Sequence, residues 1–498
     1  MRARAGAALR RRRGGRRTAR GDRVRRAAVL PDRAADVVEA RRAREARVAA
    51  QHPDLAVRDD GRRRAAEHRS HAQVGGRVKR AWLTLVVALA ALLAACDSKP
   101  APVAPPPAPP AVVAESRPQP APPSKTRALW ATRWDYRSES DVRSIVANAA
   151  DAGFDTLFFQ VRGNATAFYR SSFEPWAEEL GGADPGFDPL AVAIEEAHAR
   201  GIALHAWVNV VPAWWGGVPP KNPLHVYHQH PDWLWYDQNG ARQPLQERFY
   251  VSLNPCLPEV RYYVVSVFAD LLARYAVDGL HMDYVRFPCE PPVIPSGSGI
   301  DYPRDARTVA LYEREVGKAP DVDKAAWTKW RNEQLTLLVR AIRAMQREVR
   351  PSAVLSAAVG SDPEHHYAHY YQDARTWAAE GLVDLFAPMN YTKDNALFAS
   401  RLETWRGVKG AHRLVMGLQI HDQELAVDRA RFELALERCD GYSLFAYSTL
   451  FDSASSDPEL TSAAGRAKRD ARRAQWLPLL REDASAPLQS PSTSSASK

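Results

Sequence analysis

Apolar runs typical of buried strands alternate with helical patterns from position 127 onward. In the stretches between them, apolar residues recur at helical spacing, and several stretches end in glycine just before the next run. Eight such β/α units over about 330 residues predict a TIM (β/α)8 barrel, bounded at residues 127–481. The predicted strands are RALWATRW, FDTLFFQVRG, IALHAWVNVV, DGLHMDYVRF, AVLSAAVG, VDLFAPMNY, RLVMGLQI and GYSLFAYSTL.

Two long connections interrupt this pattern, residues 212–252 after the third strand and 288–323 after the fourth. Both insertions follow strands, on the face where barrel enzymes keep their sites. An open doubly wound sheet is the alternative architecture, but no glycine-rich phosphate loop follows the first strand. A helix near 457–481 closes the predicted ring, and the Ser/Pro-rich residues 482–498 predict a disordered tail.

The N-terminal 77 residues are dominated by Arg and Ala and contain no Lys, Ile, Phe, Tyr, Trp, Asn or Cys. They lack the apolar surface that offsets chain entropy, so we expect a disordered segment, which a start assigned too early would also explain. Residues 78–95 have the basic, apolar and small-residue order of a secretory signal. The motif LLAAC resembles a bacterial lipobox, which implies cleavage before Cys96 and lipidation of its thiol.

Charge is distributed unevenly along the chain, whose formal net charge is +10. Residues 1–80 hold 25 basic and 9 acidic side chains, whereas residues 81–498 hold 43 basic and 49 acidic ones. A nucleic-acid-binding arm is the alternative for the basic segment, but a secretion signal follows it, and we expect no nucleic-acid partner. A Pro/Ala-rich linker at 96–126 would hold the domain away from the membrane. We therefore expect a membrane-anchored lipoprotein of the cell envelope, exposed outside the cytoplasm.

The stretch DGLHMDYVRFP, residues 278–288, places polar groups within an otherwise buried strand. Side chains alternate across a strand, so if Asp283 points into the barrel, His281 and Gly279 do so too. A purely structural barrel would fill these inner positions with branched apolar residues. Polar and aromatic residues there predict a polar pocket with aromatic walls. The same alternation selects Phe158, Gln160 and Arg162 on the second strand, and His205, Trp207 and Asn209 on the third.

An ordered set of motifs resembles a known family of bacterial lipoproteins. RALWATRWD, QVRGNATAFYRSSFEPW, HAWVNVV, SLNPCLPEVR, VDGLHMDYVRFP and APMNY occur in the order found in glycoside-hydrolase-like family ten, over residues 127–451. The resemblance implies a TIM barrel, a cell-envelope location and hydrolysis of amino-sugar glycans, foremost peptide-stripped peptidoglycan.

Glycoside hydrolysis needs a proton donor, for which Asp283 is the leading candidate. A structural ion pair with Arg286 or Arg162 is its alternative role. DGLHMDY also resembles the strand-four motif of chitinase-type barrels, but Val285 stands where they have an acid, whereas Tyr391 matches their strand-six tyrosine. The predicted substrate-binding residues are Gln160, Arg162, Trp207, Asn209, Tyr284, Arg286, Asn390 and Tyr391.

The positions of the candidate residues along the sequence do not show which of them is the second catalytic group. If the substrate bears 2-acetamido groups, its own carbonyl is a possible nucleophile, with Asn390 and Tyr391 as donors. The candidate carboxylates are Asp135, Glu174, Glu178, Glu290 and Asp394. The candidate sugar-stacking rings of the first insertion are Trp214, Trp215, Trp233, Trp235 and Tyr236.

Two other functional classes remain open at this stage. A metal-dependent hydrolase would use His205, His281 and Asp283, but the first strand lacks histidine, and we expect neither a metal nor another cofactor. A glycan-binding lipoprotein without turnover is the second alternative, because a single candidate carboxylate is few catalytic groups for a glycoside hydrolase.

Three cysteines remain after the lipidated Cys96, an odd number for an oxidising compartment. Cys256 and Cys289 follow neighbouring strands, so both should lie on the same face of the barrel. We therefore predict a Cys256–Cys289 disulfide and a buried Cys439.

Overall fold

The strands of the computed structural model, which describes residues 124–288, 293–421 and 423–485, follow the predicted order. All eight apolar runs contain a strand, and an additional antiparallel hairpin lies in the first insertion. The strands are β1 Thr126–Ala131, β2 Thr156–Arg162, β3 Ala203–Asn209, β4 Pro212–Gly216, β5 Gln246–Ser252, β6 Gly279–Asp283, β7 Val354–Gly360, β8 Leu385–Met389, β9 Arg413–Leu414, β10 Met416–Leu418 and β11 Gly441–Phe445.

The main sheet is parallel and closed, in the order β10-β11-β1-β2-β3-β6-β7-β8-β9. β9 and β10 are two short parts of the predicted seventh strand, and the pairing of Gly417 with Met389 joins β10 to β8. Closure excludes the open doubly wound sheet. The predicted TIM barrel, with insertions after its third and fourth strands, is therefore confirmed.

Helices follow the strands around the outside of the barrel. Several begin at a side-chain cap, as at Ser138, whose capping box with Asp141 satisfies backbone N–H groups at the first turn. The helices are α1 Glu139–Asp151, α2 Pro189–Ala199, α3 Val226–Gln229, α4 Pro258–Arg274, α5 Ala306–Val316, α6 Lys324–Val349, α7 Pro363–Tyr370, α8 Ala374–Ala379, α9 Asn395–Arg406, α10 Leu425–Arg438, α11 Pro458–Thr461 and α12 Ala463–Ser485.

The alternation of side chains divides the core into two layers. Leu280 and Met282 of β6 belong to the large cluster between the strands and the helices. His281 lies inside the barrel, stacked on Phe158 with ring centroids 3.9 Å apart. Gly279 is also on the inner face, since a Cβ there would lie 2.6 Å from Cγ of the His205 ring. The parity predicted for β6 is therefore confirmed, and it directs Asp283 inward.

None of the described helices has the length and apolar character needed to cross a membrane. The predicted disordered tail 482–498 starts too early, because α12 continues to Ser485. The remaining tail residues 486–498 lie outside the described residues, as do the predicted Arg-rich segment 1–77, signal peptide 78–95, lipidated Cys96 and the linker up to residue 123. Those assignments stay predictions.

Candidate active site

A cavity of about 290 Å³ opens where the barrel strands end. The β4–β5 hairpin contributes part of its wall, so the first insertion helps to build the site. The lining residues are Trp130, Thr132, Arg133, Trp134, Gln160, Trp207, Asn209, Trp215, Tyr250, Asp283, Tyr284, Arg286, Ala358, Met389, Tyr391 and Phe445.

Asp283 ends β6 opposite Asn209 of β3 and is only 6% exposed. The backbone N–H of Tyr284 donates to its Oδ1 at 2.6 Å, and Arg286 Nη1 donates to the same oxygen at 3.2 Å. Burial raises the pKa of the Asp283 carboxyl, while the Arg286 charge and the Tyr284 N–H oppose the rise. The net effect is a raised pKa, so the Asp283 carboxyl keeps its proton at higher pH than an ordinary aspartate does.

Polar contacts fix the cavity wall beside Asp283. Gln160 Oε1 accepts from the backbone N–H of Arg133 at 3.0 Å, and Gln160 Nε2 donates to Asn209 Oδ1 at 3.3 Å. Asn209 Nδ2 donates to Gly163 O at 2.9 Å and to the Tyr250 hydroxyl at 3.3 Å. The ends of β1, β2 and β3 are thereby joined to the hairpin, so these side chains are held in place without a ligand.

Aromatic rings form a continuous surface on the side of the hairpin. Ring centroids of Trp134 and Trp215 lie 5.7 Å apart, those of Trp215 and Tyr250 4.7 Å, and those of Tyr250 and Tyr284 4.9 Å. On the other side, Tyr391 stacks on Phe445 at 5.5 Å. Such rings match the apolar faces of sugars.

Seven of the predicted site residues line this cavity, namely Gln160, Trp207, Asn209, Asp283, Tyr284, Arg286 and Tyr391. Burial raises the pKa of the Tyr391 hydroxyl well above its usual value, and the nearby Asp283 charge adds to that effect. The Trp207 indole N–H faces the Asp283 carboxyl, yet Nε1 has no hydrogen bond of ordinary geometry within the described residues. This N–H therefore acts on the candidate acid and, like Arg286, opposes the rise in the pKa of Asp283.

Arg162 does not line the cavity, so the alternation predicted for β2 is wrong at this position. A β-bulge shifts the register, so that Gln160 pairs with inward-facing Trp207 but Arg162 pairs with Val208, which belongs to the outer layer. The Arg162 guanidinium lies 5.8 Å from the Phe268 ring of α4. Glu174 accepts from it at 2.7 Å, and both side chains are fully buried. Arg162 thus fixes the end of β2 from outside the barrel.

Asn390 also lies outside the lining, although it directly precedes Tyr391. It is 1% exposed, and its Nδ2 donates to Phe398 O of α9 at 3.1 Å. Its position indicates that it holds the end of β8 against α9, whereas the neighbouring Tyr391 faces the cavity.

The candidate second carboxylates do not meet Asp283 in the described part of the cavity. Glu174 is paired with Arg162, Asp394 caps α9, and Glu178 lines a second cavity of about 350 Å³. Asp135 is buried behind Thr132, whose backbone N–H donates to it at 2.7 Å, and burial raises the pKa of Asp135 to about 6. Glu290 lies outside the described residues.

The two barrel histidines lie deeper than Asp283. Nδ1 of His281 and Nδ1 of His205 are 2.9 Å and 3.0 Å from the Ser356 hydroxyl, and Trp130 Nε1 donates to His281 Nε2 at 3.0 Å. Burial lowers the pKa of His205 to about 4, and it also lowers the pKa of His281 well below its usual value. Among the described residues, no three His, Cys, Asp or Glu side chains form a metal-binding group.

Of the five aromatic residues proposed for sugar stacking, Trp215 lines the cavity. Trp214 points to the second cavity, because adjacent residues of β4 face opposite sides. Trp235 is fully buried and donates from Nε1 to Leu253 O at 2.9 Å. Trp233 stacks on His230 at 3.7 Å, and Tyr236 donates to Pro231 O at 3.1 Å. The latter three pack the insertion.

Sequence reasoning missed several lining residues, above all Arg133 and Tyr250. Arg133 and Trp134 come shortly after the carboxyl end of β1, where barrel enzymes keep their sites, so their position was an available signal. No local signal marks Tyr250, which the fold of the hairpin brings back to the cavity.

Cys256 and Cys439 are both buried, as predicted for Cys439. Burial raises the pKa of both thiols, to about 12 for Cys439. Cys289 lies outside the described residues, so the Cys256–Cys289 disulfide stays a prediction.

One solved structure matches the fold along most of the described chain. The glycoside hydrolase domain of PgaB (BpsB) from Bordetella bronchiseptica superposes with a TM-score of 0.50 at 14% identity, covering 70% of this chain and 98% of that one. At this identity the likeness concerns the barrel fold.

Comparison with proteins of similar sequence identifies the family. The chain is 31% identical over 358 residues to glycosyl hydrolase DigH of Escherichia coli O6:H1 strain CFT073, covering 62% of this chain and 74% of the relative. It is 29% identical over 262 residues to glycosyl hydrolase YngK of Bacillus subtilis, covering 48% and 46%. The family described as glycosyl hydrolase-like 10 matches residues 125–416. Because that match spans more than half of the chain, the protein belongs to the glycosyl hydrolase-like 10 family, which supports a glycosidase-type function.

Proposed function

We propose that the protein hydrolyses glycosidic bonds of amino-sugar glycans in this cavity, with Asp283 as the general acid. The observation that carries the proposal is a buried carboxyl with a raised pKa in an aromatic-walled cavity at the carboxyl end of the strands. A general acid must hold its proton until the leaving oxygen takes it, and burial has that effect on a carboxyl.

Arg286 and the Tyr284 N–H stabilise the carboxylate that remains after proton transfer. Their contacts with Oδ1 limit the rise in pKa, so the acid can still release its proton. Asp283 is the carboxylate that the described lining provides. This favours a mechanism in which the 2-acetamido oxygen of the substrate attacks the anomeric carbon. The Trp207 N–H and the Tyr391 hydroxyl are suitable donors to that acetamido group.

Substrate orientation follows from the aromatic surface. Trp134, Trp215 and Tyr250 present ring faces and edges along one wall, and Tyr391 and Phe445 do so along the other. A sugar ring held between them would place its glycosidic oxygen near Asp283, since Asp283 lies in the same wall as Tyr284.

The proposed substrate is peptide-stripped peptidoglycan, and the proposed location is the cell envelope, with a lipid anchor at Cys96. The lipobox-like sequence 92–96 supports the anchor and the location, and the relatives named glycosyl hydrolase support action on a glycan. Mass spectrometry of membrane-extracted protein tests the anchor: a lipidated N-terminal Cys96 supports it, and an intact peptide spanning Ala95 to Asp97 contradicts it.

Product analysis tests the activity itself. Purified protein is incubated with peptide-stripped peptidoglycan, with chitin oligomers and with deacetylated glucosamine oligomers, and the products are analysed by mass spectrometry. We expect shortened oligomers with a new reducing end from the first substrate. Failure to shorten any of the three contradicts hydrolysis.

A glycan-binding protein without turnover is the second candidate, and the ion pair between Asp283 and Arg286 favours it. If Asp283 is held as a carboxylate by Arg286, the cavity binds sugars but lacks an acid. Binding of the glycan with no new reducing ends after prolonged incubation would select this alternative.

A further inference from the structure

Arg133 is a buried cation in the wall of the active-site cavity. It lies two residues after the end of β1, and its side chain is 0% exposed. A Cβ at position 163 would lie 2.5 Å from Arg133 Cδ, so the side chain occupies space that exists because residue 163 is glycine. Its guanidinium carbon lies 3.8 Å from the centre of the Trp134 ring. The packing leaves Arg133 one defined position.

The protein uses part of the hydrogen-bonding capacity of this guanidinium. Nε donates to Glu179 Oε1 at 2.9 Å, and Nη1 donates to the Tyr250 hydroxyl at 3.0 Å. Nη2 is buried and has no hydrogen-bond partner within the described residues. A buried N–H of a charged group that stays unpaired costs free energy, and Arg133 is one of the residues that line the cavity, so its unpaired Nη2 suggests a ligand.

Tyr250 supplies a second donor at the same place. Its hydroxyl oxygen accepts from both Arg133 Nη1 and Asn209 Nδ2, so its own proton remains to be donated. The Trp207 N–H in the same cavity faces the Asp283 carboxyl. The wall therefore combines a cation with neutral donors, which complements an anionic group rich in acceptor oxygens.

We propose that Arg133, assisted by the Tyr250 hydroxyl, binds a carboxylate carried by a sugar of the substrate and thereby determines specificity. This inference rests on the proposed function, because it names a substituent that the hydrolysed glycan must carry. A carboxylate can accept from Nη2 with one oxygen and from Tyr250 with the other. A neutral sugar would leave Nη2 unpaired, and an ammonium-bearing sugar would face the charges of Arg133 and Arg286.

The inference predicts which strands the cavity accepts. In peptidoglycan the acid group of the lactyl ether is an amide when a peptide is attached and a free carboxylate when the peptide has been removed. An amide lacks the negative charge that Arg133 recognises. Recognition of the free acid would make the protein selective for peptide-stripped strands by charge.

The experiment measures binding in the Asp283→Asn variant, so that turnover does not consume the ligand. The probes are peptide-stripped glycan oligomers of one length, used with free carboxylates and after conversion of these carboxylates to primary amides. Isothermal titration calorimetry should show roughly 10- to 100-fold tighter binding of the carboxylate form, as a charge-assisted hydrogen bond provides. Equal affinity for the two forms overturns the proposal.

Additional variants assign the effect to Arg133. Arg133→Gln, made in the Asp283→Asn background, should bring the affinity ratio of the two forms close to one. Arg170→Gln is the matched control, because Arg170 is an exposed arginine paired with Asp184, away from the cavity. If Arg133→Gln does not fold, Arg133→Lys replaces it, and the ratio should fall partially because lysine lacks the planar fork. A ratio that the folded variant leaves unchanged overturns the role of Arg133.

The outcome is separable from that of the proposed function. If the wild type cleaves both oligomer forms at the same rate and binds them equally, hydrolysis stands and carboxylate recognition fails. If the wild type cleaves neither form but binds the carboxylate form more tightly, recognition stands and hydrolysis fails.

Discussion

Arg286 Nη1, in the connection that follows β6, lies 3.2 Å from Oδ1 of Asp283, the last residue of that strand. The two side chains are 11% and 9% exposed, so solvent screens their attraction weakly. Burial raises the pKa of Asp283 and the Arg286 charge lowers it, with burial dominant. Arg286 therefore limits the rise in the pKa of Asp283 but does not cancel it, so Asp283 can still act as an acid.

Replacing Arg286 should change the pH dependence of hydrolysis. A general acid works while protonated, so activity falls as the pH rises through the pKa of Asp283. Arg286→Gln removes the cation that stabilises the carboxylate, so this pKa should rise further and the basic limb of the kcat/KM profile should move to higher pH. Arg170→Gln, far from the cavity, should leave the limb unmoved. A shift to lower pH would exclude Asp283 as the group that titrates.

Asp283→Asn should lower kcat by roughly 100- to 10,000-fold, the usual contribution of a general acid, with glycan affinity retained. Asparagine keeps the shape but carries no transferable proton. The measurement is the release of reducing ends from peptide-stripped glycan, together with binding by calorimetry. A rate close to that of the wild type would mean that Asp283 is a structural partner of Arg286.

Trp215→Ala should weaken glycan binding by roughly 5-fold, because stacking of an aromatic ring contributes about 1 kcal/mol. The change should appear mainly in KM, since the ring does not contact the reacting bond. Trp233→Ala is the control, because Trp233 stacks on His230 outside the cavity. Equal effects of the two substitutions on KM would contradict a stacking role for Trp215.

Glu174→Gln should destabilise the fold rather than affect substrate recognition. Glu174 and Arg162 are fully buried, and removing one partner leaves an uncompensated charge, which costs about 3–5 kcal/mol. Urea unfolding measures this cost. Glu139→Gln is the control, since Glu139 pairs with Arg143 on the surface, with side chains 47% and 40% exposed, and should cost below about 1 kcal/mol. If the Glu174→Gln variant is as stable as the wild type but no longer binds glycan, Glu174 takes part in substrate binding.

Asp135→Asn should change how stability depends on pH. Burial raises the pKa of Asp135 to about 6 in the folded state, so the folded protein binds the proton more strongly than the unfolded chain does. The Asp135 contribution to stability is therefore lost as the pH rises from about 4 to about 6, by up to about 3 kcal/mol. Relative to the variant, the wild type should lose free energy of unfolding over that window. Parallel pH profiles in urea unfolding would contradict the raised pKa.

The sequence by itself determined the barrel and the position of its candidate acid. Apolar runs separated by helical patterns specify eight strands, and a parallel sheet buried on both faces requires such runs. Within a regular strand such as β6, alternation decides which residues point inward, so Asp283 follows from counting along the chain. The same counting placed Trp207 and Asn209 of β3 in the cavity.

Only the tertiary structure decided which other residues complete the site. A bulge in β2 depends on pairing with β3, and it turns Arg162 away from the cavity although its sequence pattern matches that of Asp283. Tyr250 reaches the wall because β5 pairs with β4 and folds back over the barrel, a contact between residues far apart in the chain. The unpaired edge of Arg133 likewise depends on how Glu179, Tyr250 and Gly163 surround it. Local periodicity cannot predict the pairing register, the reversal of the chain or the satisfaction of hydrogen bonds, because these depend on residues that only the folded chain brings together.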